Sequence, residues 1–117
     1  MTTTRKTIQP RNTYLVRAEL TRYNPATNAY VTWTGTSGTV SFCTDALGAS
    51  VITGLGNFAL TEGVAGVYYA QIDATSTNLL IPYVGQTIYQ VLRVGPNSAV
   101  PDLDGVLPLL VEQPRYL

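Results

Sequence analysis

Between residues 12 and 23, Tyr14, Val16, Ala18 and Leu20 alternate with Arg17, Glu19 and Thr21. A period of two belongs to a strand with one buried face, so this run predicts the first strand. YNPATNA, residues 23–29, is turn chemistry: Pro25 fixes φ, and Asn24 and Asn28 tolerate turn geometry. Residues 30–34 and 39–44 read as two strands flanking GTSG, a four-residue hairpin loop with glycine at each end. Val31 and Trp33 share a face of the former, and Val40 and Phe42 share a face of the latter. The glycine-punctuated segment 45–57 is a connection with a short strand at 51–53. Strands follow at 58–62, 66–73, 79–82 and 87–94, separated by GVAG, ATSTN and VGQ. No window carries a helical period, and short strands at this spacing predict an all-β fold, an antiparallel β-sandwich or barrel.

GVYYAQID, residues 66–73, sets two tyrosines side by side. Tyr68, Ala70 and Ile72 fall on one face, and Val67, Tyr69, Gln71 and Asp73 on the other. The first set points to the core, where Trp33 and Phe42 are also expected. Tyr68, two residues after the glycine that opens the strand, resembles the tyrosine corner of immunoglobulin-like sandwiches, whose hydroxyl caps a backbone group upstream. Tyr69 faces outward as a rigid amphipathic contact residue. Tyr89 extends the same surface if the two strands pair; the alternative is an ordinary cross-strand aromatic pair on a solvated face.

Outside residues 12–95, which hold the predicted sandwich, the character changes. Residues 1–11 are polar and basic without alternation and read as an N-terminal arm. Residues 96–117 combine prolines at 96, 101, 108 and 114 with Leu103, Val106, Leu107, Leu109, Leu110, Val111 and Leu117. The prolines forbid a long helix and restrict central-strand pairing, yet the segment is too apolar for a solvated tail. It is expected to lie as an arm along its own domain or a neighbour's. The contact residues predicted on the two arms are Arg5, Lys6 and Arg11, then Leu107, Leu109, Leu110 and Tyr116.

The 117 residues make one domain, and 12% of them are charged, against about 25% in an average protein. Scarce charge suits a surface covered by neighbours, or a neutral, threonine-rich surface that needs none. Five of seven cations precede residue 23, whereas six of seven acids follow it. A basic front and an acidic body suit head-to-tail contacts between copies. Three cations in the first eleven residues are too few for a nucleic-acid arm. MTTTRKTIQP has no apolar h-region, no run approaches the roughly 20 apolar residues of a membrane span, and a cytoplasmic origin without export is expected.

Catalytic chemistry is sparse. Histidine is absent and Cys43 is the single cysteine, which removes the usual nucleophile systems and zinc sites. Gly54-Leu55-Gly56 lacks the lysine and helix of a phosphate loop, and Asp102-x-Asp104-Gly105 lacks the later ligands of a calcium loop. Asp45 and Glu62 would need a cleft to act as a glycosidase pair. No enzyme activity, cofactor or metal is expected.

From Gly38 to Gly95 the chain resembles the small immunoglobulin-like β-sandwich modules of tailed-phage virions. The likeness rests on Gly66, Tyr68 and Ala70 (G-x-Y-x-A), then Leu79 and Leu80, then Gly85, Tyr89 and Val91 (G-x-x-x-Y-x-V). It covers about half the chain. It implies a structural virion subunit, foremost a decoration or cement protein that binds and stabilises the assembled head. Head–tail, tail or baseplate components share the pattern. The implied partners are other virion proteins and copies of itself, with no nucleic acid or membrane. A carbohydrate- or receptor-binding module, with Tyr69, Tyr89 or Trp33 stacking on sugars, is the alternative from another class.

Overall fold

The computed structural model describes residues 6–95 and 103–113. Ten strands follow in order: β1 (Thr7–Ile8), β2 (Tyr14–Glu19), β3 (Thr21–Asn24), β4 (Ala29–Thr32), β5 (Gly38–Cys43), β6 (Phe58–Ala59), β7 (Thr61–Glu62), β8 (Val67–Ile72), β9 (Thr87–Val94) and β10 (Leu103–Val111). One helical turn, α1 (Ala74–Thr77), and a 3-10 helix at Asn78–Tyr83 lie between β8 and β9. The protein is therefore all-β, built from several sheets. A five-stranded sheet has the order β1-β10-β9-β5-β6 and a three-stranded sheet the order β2-β8-β7, while β3 and β4 pair only with each other.

The two larger sheets share one core. Val40, Phe42, Ile88, Val94, Leu109 and Val111 enter it from the five-stranded sheet, and Val16, Tyr68, Ala70 and Ile72 from the other. The alternation in β8 is clean: Tyr68, Ala70 and Ile72 are buried, and Val67, Tyr69 and Gln71 are not. The β2–β8 register sets Tyr14, Val16 and Ala18 opposite Ile72, Ala70 and Tyr68, so the inward face is continuous across the pair. Trp33 is half-buried and packs on the cluster's rim. Each large apolar side chain buried here contributes about 1.5–3 kcal/mol of transfer free energy.

Several elements differ from the sequence-based expectation. The run 12–23 breaks at Leu20, whose N–H is taken by Gly66 O and whose carbonyl accepts from Trp33 N. The chain then leaves the three-stranded sheet to form the β3–β4 hairpin over the NPATN turn. The strands flanking GTSG do not pair with each other; β5 pairs with β6 and β9, and GTSG crosses from the hairpin to the five-stranded sheet. The segment 51–53 forms only a bridge, Val51 to Cys43. The run 58–62 is shared out: β6 joins β5, β7 joins β8, and Leu60 between them bonds Gly38 O. ATSTN and the predicted strand 79–82 are helical instead. Asp73 caps α1 by accepting from Ser76 N, a local bond that competes with extended pairing.

Where they are described, both predicted arms lie along the chain's own sheet, one of the two places expected for the C-terminal one. Ile8 and Pro10 are buried, and β1 runs parallel to β10 with Thr7 opposite Leu110 and Ile8 opposite Val111. β10 pairs with β9 from Leu103 to Leu110, which lays this part of the predicted arm into the five-stranded sheet of its own domain. Proline is tolerated there for a geometric reason. Leu110 N bonds Lys6 O and Glu112 N bonds Ile8 O, so even-numbered residues of β10 turn their backbone groups away from β9. Pro108 is one of these, and its missing N–H costs the β9–β10 ladder nothing. Arg5, Tyr116 and residues 96–102 lie outside the described residues.

Two outcomes follow for stability. Deletion from residue 108 onward removes the fully buried Leu109 and Val111. It is expected to abolish cooperative thermal unfolding, because large-to-small losses of about 2–5 kcal/mol each consume much of a margin of about 5–15. Tyr68→Ala is expected to cost about 3–5 kcal/mol and Tyr69→Ala much less; urea melts giving the reverse ranking would contradict the assignment of faces in β8.

Candidate assembly interface

Residues 20–44 carry a single charge, Arg22, and fold into the hairpin and its return to β5. Among the described residues no third strand joins the hairpin, and of its eight strand residues only Asn24 is partly buried. Register places Tyr23 opposite Tyr30 and Arg22 opposite Val31, so these pairs occupy opposite faces. The tyrosine rings meet edge to face with centroids 5.4 Å apart, and Tyr30 remains 74% exposed. The Tyr23 hydroxyl bonds the Asn28 side chain, and Asn24 accepts from Ala26 N, which fixes the turn. On the other face the Arg22 guanidinium lies 5.3 Å above the Trp33 ring, an arrangement in which the ring quadrupole attracts the cation. Arg22, Tyr23, Asn24, Pro25 and Val31 outline a shallow depression.

The hairpin is clamped at its base. The Tyr68 hydroxyl donates to Trp33 O at 2.8 Å and accepts from Thr36 N at 3.3 Å. Glu62 spans two turns, with Oε1 accepting from Gly35 N at 3.0 Å and Oε2 from Gly66 N at 2.9 Å. Gly66 has φ +79°, and a Cβ there would collide with Thr32 Cγ2, so glycine is required both by conformation and by the close approach of β4. Hydrogen bonding to Gly66 N, then to Gly35 N, holds the Glu62 carboxyl below its ordinary value of 4.5.

The contact residues predicted from sequence do not converge. Tyr69 is half-buried on β8 across from Arg17 and Thr61, and Tyr89 is half-buried on β9 between Cys43 and Pro108. These strands belong to different sheets, so the expected common surface of the two tyrosines does not form. The carboxylate of Glu19, and after it the Tyr69 phenol, raise the Arg17 pKa. Leu109 is fully buried and offers no contact surface, Leu107 packs on the core, and Leu110 is half-buried beside Thr7. Lys6 and Arg11 are exposed, the latter at φ 68°. Sequence reasoning overlooked Tyr23, Tyr30 and Val31 as a surface, although the charge-free stretch around a turn signal was visible.

Among the described residues no group of three or more His, Cys, Asp or Glu side chains is placed to hold a metal ion. Asp45 accepts from Ala49 N and Ser50 N, far in the chain from Glu62, which is engaged at the clamp. Cys43 is buried, and that burial pushes its thiol pKa up, away from thiolate reactivity. No helix among the described residues is long and apolar enough to cross a membrane. No family model matches the chain, and no curated protein or solved structure matches it.

The clamp makes a pH prediction. A carboxyl whose folded pKa is depressed adds stability above its unfolded pKa, and that stability is lost as pH falls through the folded value. Glu62→Gln is therefore expected to lower Tm at neutral pH and to shrink the further fall in Tm below about pH 4.5. Equal acid sensitivity of both proteins in thermal scans would assign the acid response to Asp45 and Asp73, whose carboxyls are also depressed by backbone N–H donors.

Proposed function

We propose that this chain is a non-enzymatic structural subunit of a tailed-phage virion, a decoration or cement protein on the assembled head, which engages its neighbours through the β3–β4 hairpin. The observation that carries the reading is the hairpin itself. A lone two-stranded hairpin is marginal in water, and this one holds two exposed tyrosines, an exposed valine and one arginine with no acid. Aromatics and arginine without lysine or carboxylates are the composition of a protein–protein contact centre.

Strand order supports an immunoglobulin-like connectivity as the finer fold. With β2, β5, β6, β7, β8, β9 and β10 read as strands B, C, C′, D, E, F and G, one sheet is B-E-D and the other G-F-C-C′. Tyr68 would then stand on strand E, whereas the tyrosine corner stands near the start of F, although its hydroxyl does bond a backbone carbonyl upstream. A head–tail, tail or baseplate location uses the same surface. Aromatics clustered in one concavity would favour the glycan-binding alternative, and Tyr69, Tyr89 and Trp33 sit on two sheets and a loop.

Mass spectrometry of purified particles of the encoding phage tests both parts. The chain is expected in the particles, and a Tyr30→Ser, Val31→Thr chain at no more than a tenth of that occupancy. Both positions are exposed, so the melting curve should stay within about 0.5 kcal/mol of the parent. Absence of the parent chain from particles overturns the virion role; full occupancy by the variant overturns the role of the hairpin.

A further inference from the structure

Among the described residues, the sheet edges are protected against pairing except at one place. The edge strands β1, β6 and β7 have two residues each, β2 carries the Arg17–Glu19 ion pair, and the part of β10 that β1 leaves uncovered contains Pro108. Short strands, charges and proline are the features that prevent edge-to-edge pairing. In the hairpin, β3 carries Arg22. β4, Ala29–Thr32, has neither charge nor proline, and all four residues are exposed.

The hydrogen bonds define what this edge offers. Trp33 N donates to Leu20 O on the β3 side, so by alternation Val31 and Ala29 also turn their backbone groups toward β3. Tyr30 and Thr32 turn theirs outward. An antiparallel strand must place outward residues opposite outward residues. When β4 meets a second β4, the register that sets Val31 opposite Val31 also sets Tyr30 opposite Thr32 twice, which makes four backbone hydrogen bonds. Registers centred on Tyr30 or Thr32 make two within the strand.

We propose that β4 pairs with β4 of a second copy of this chain about a two-fold axis through Val31, joining the two hairpins into one four-stranded sheet. The edge is complementary to itself. Each Tyr30 ring lies beside a Thr32 of the partner copy on the same face, and the two valines meet at the centre. The two Arg22 side chains flank the valines three strand spacings apart, about 14 Å, beyond the roughly 10 Å screening length at 0.1 M salt. A head-to-tail alternative would need a second open edge elsewhere on the chain, and the other described edges are short, charged or proline-bearing.

The inference rests on the hairpin being a contact surface, and its test is separate from the particle measurement. Sedimentation velocity is run on the parent chain, on Val31→Lys, on Val31→Glu and on an equimolar mixture of the two variants. The parent should show a concentration-dependent dimer. Each variant should associate at least tenfold more weakly, because like charges then lie directly opposite across the axis. Val31→Glu, which faces Arg22 within its own hairpin, should keep the parent's melting curve, and Val31→Lys, which also faces Arg22, should melt slightly lower. The mixture should regain dimer, since lysine then faces glutamate. A parent chain that stays monomeric to about 1 mM, variants that dimerise as the parent does, or a mixture that stays monomeric would each overturn the pairing. A monomeric chain still found in particles overturns this pairing alone and leaves the virion role standing.

Discussion

The Tyr68 hydroxyl is the point on which the rest of the molecule turns. Its ring fills the core between the sheets, and its oxygen reaches the crossover where the chain leaves the hairpin for the five-stranded sheet. Trp33 O and Thr36 N would otherwise lack these partners at a half-buried junction, and an unpaired buried polar group costs about 1–3 kcal/mol. Leu20 and Gly66 complete the junction through backbone bonds, and Glu62 through its carboxylate, which accepts from Gly35 N and Gly66 N. The hairpin therefore projects from a defined base, and beyond that base no described strand covers it.

Three carboxylates serve as loop staples. Asp45 holds Ala49 N and Ser50 N, Glu62 holds Gly35 N and Gly66 N, and Asp73 caps α1. In each the carboxyl is held below its ordinary range by backbone N–H donors. The Arg17–Glu19 ion pair is exposed and of the class that contributes little. The hairpin, by contrast, carries Arg22 as its one charge.

The edges tell the same story from the backbone. A β-protein of this size must protect unpaired strand groups or use them. Among the described residues, two-residue strands, an ion pair and Pro108 protect most of them, and the one longer edge free of such features lies on the hairpin that also exposes the tyrosines. Backbone donors and apolar contact area are thus concentrated in one projecting element.

Local alternation determined a good deal by itself. It set the two faces of β8, the core positions of Phe42, Tyr68 and Ile72, and the all-β class, because side-chain period and turn residues are properties of neighbouring positions. Only the tertiary structure decided which strands pair. Leu20 looks like one more apolar position in a strand, yet its backbone bonds to Gly66 and Trp33 divide the strand in two. Pro108 argues against a sheet until the direction of its missing N–H is known, and that direction depends on bonds to Lys6 and Ile8 a hundred residues away. The tyrosines at 69 and 89 were separated, and those at 23 and 30 brought together, by the same cause. Strand partners are chosen by burial summed over the whole chain, and no local pattern carries that sum.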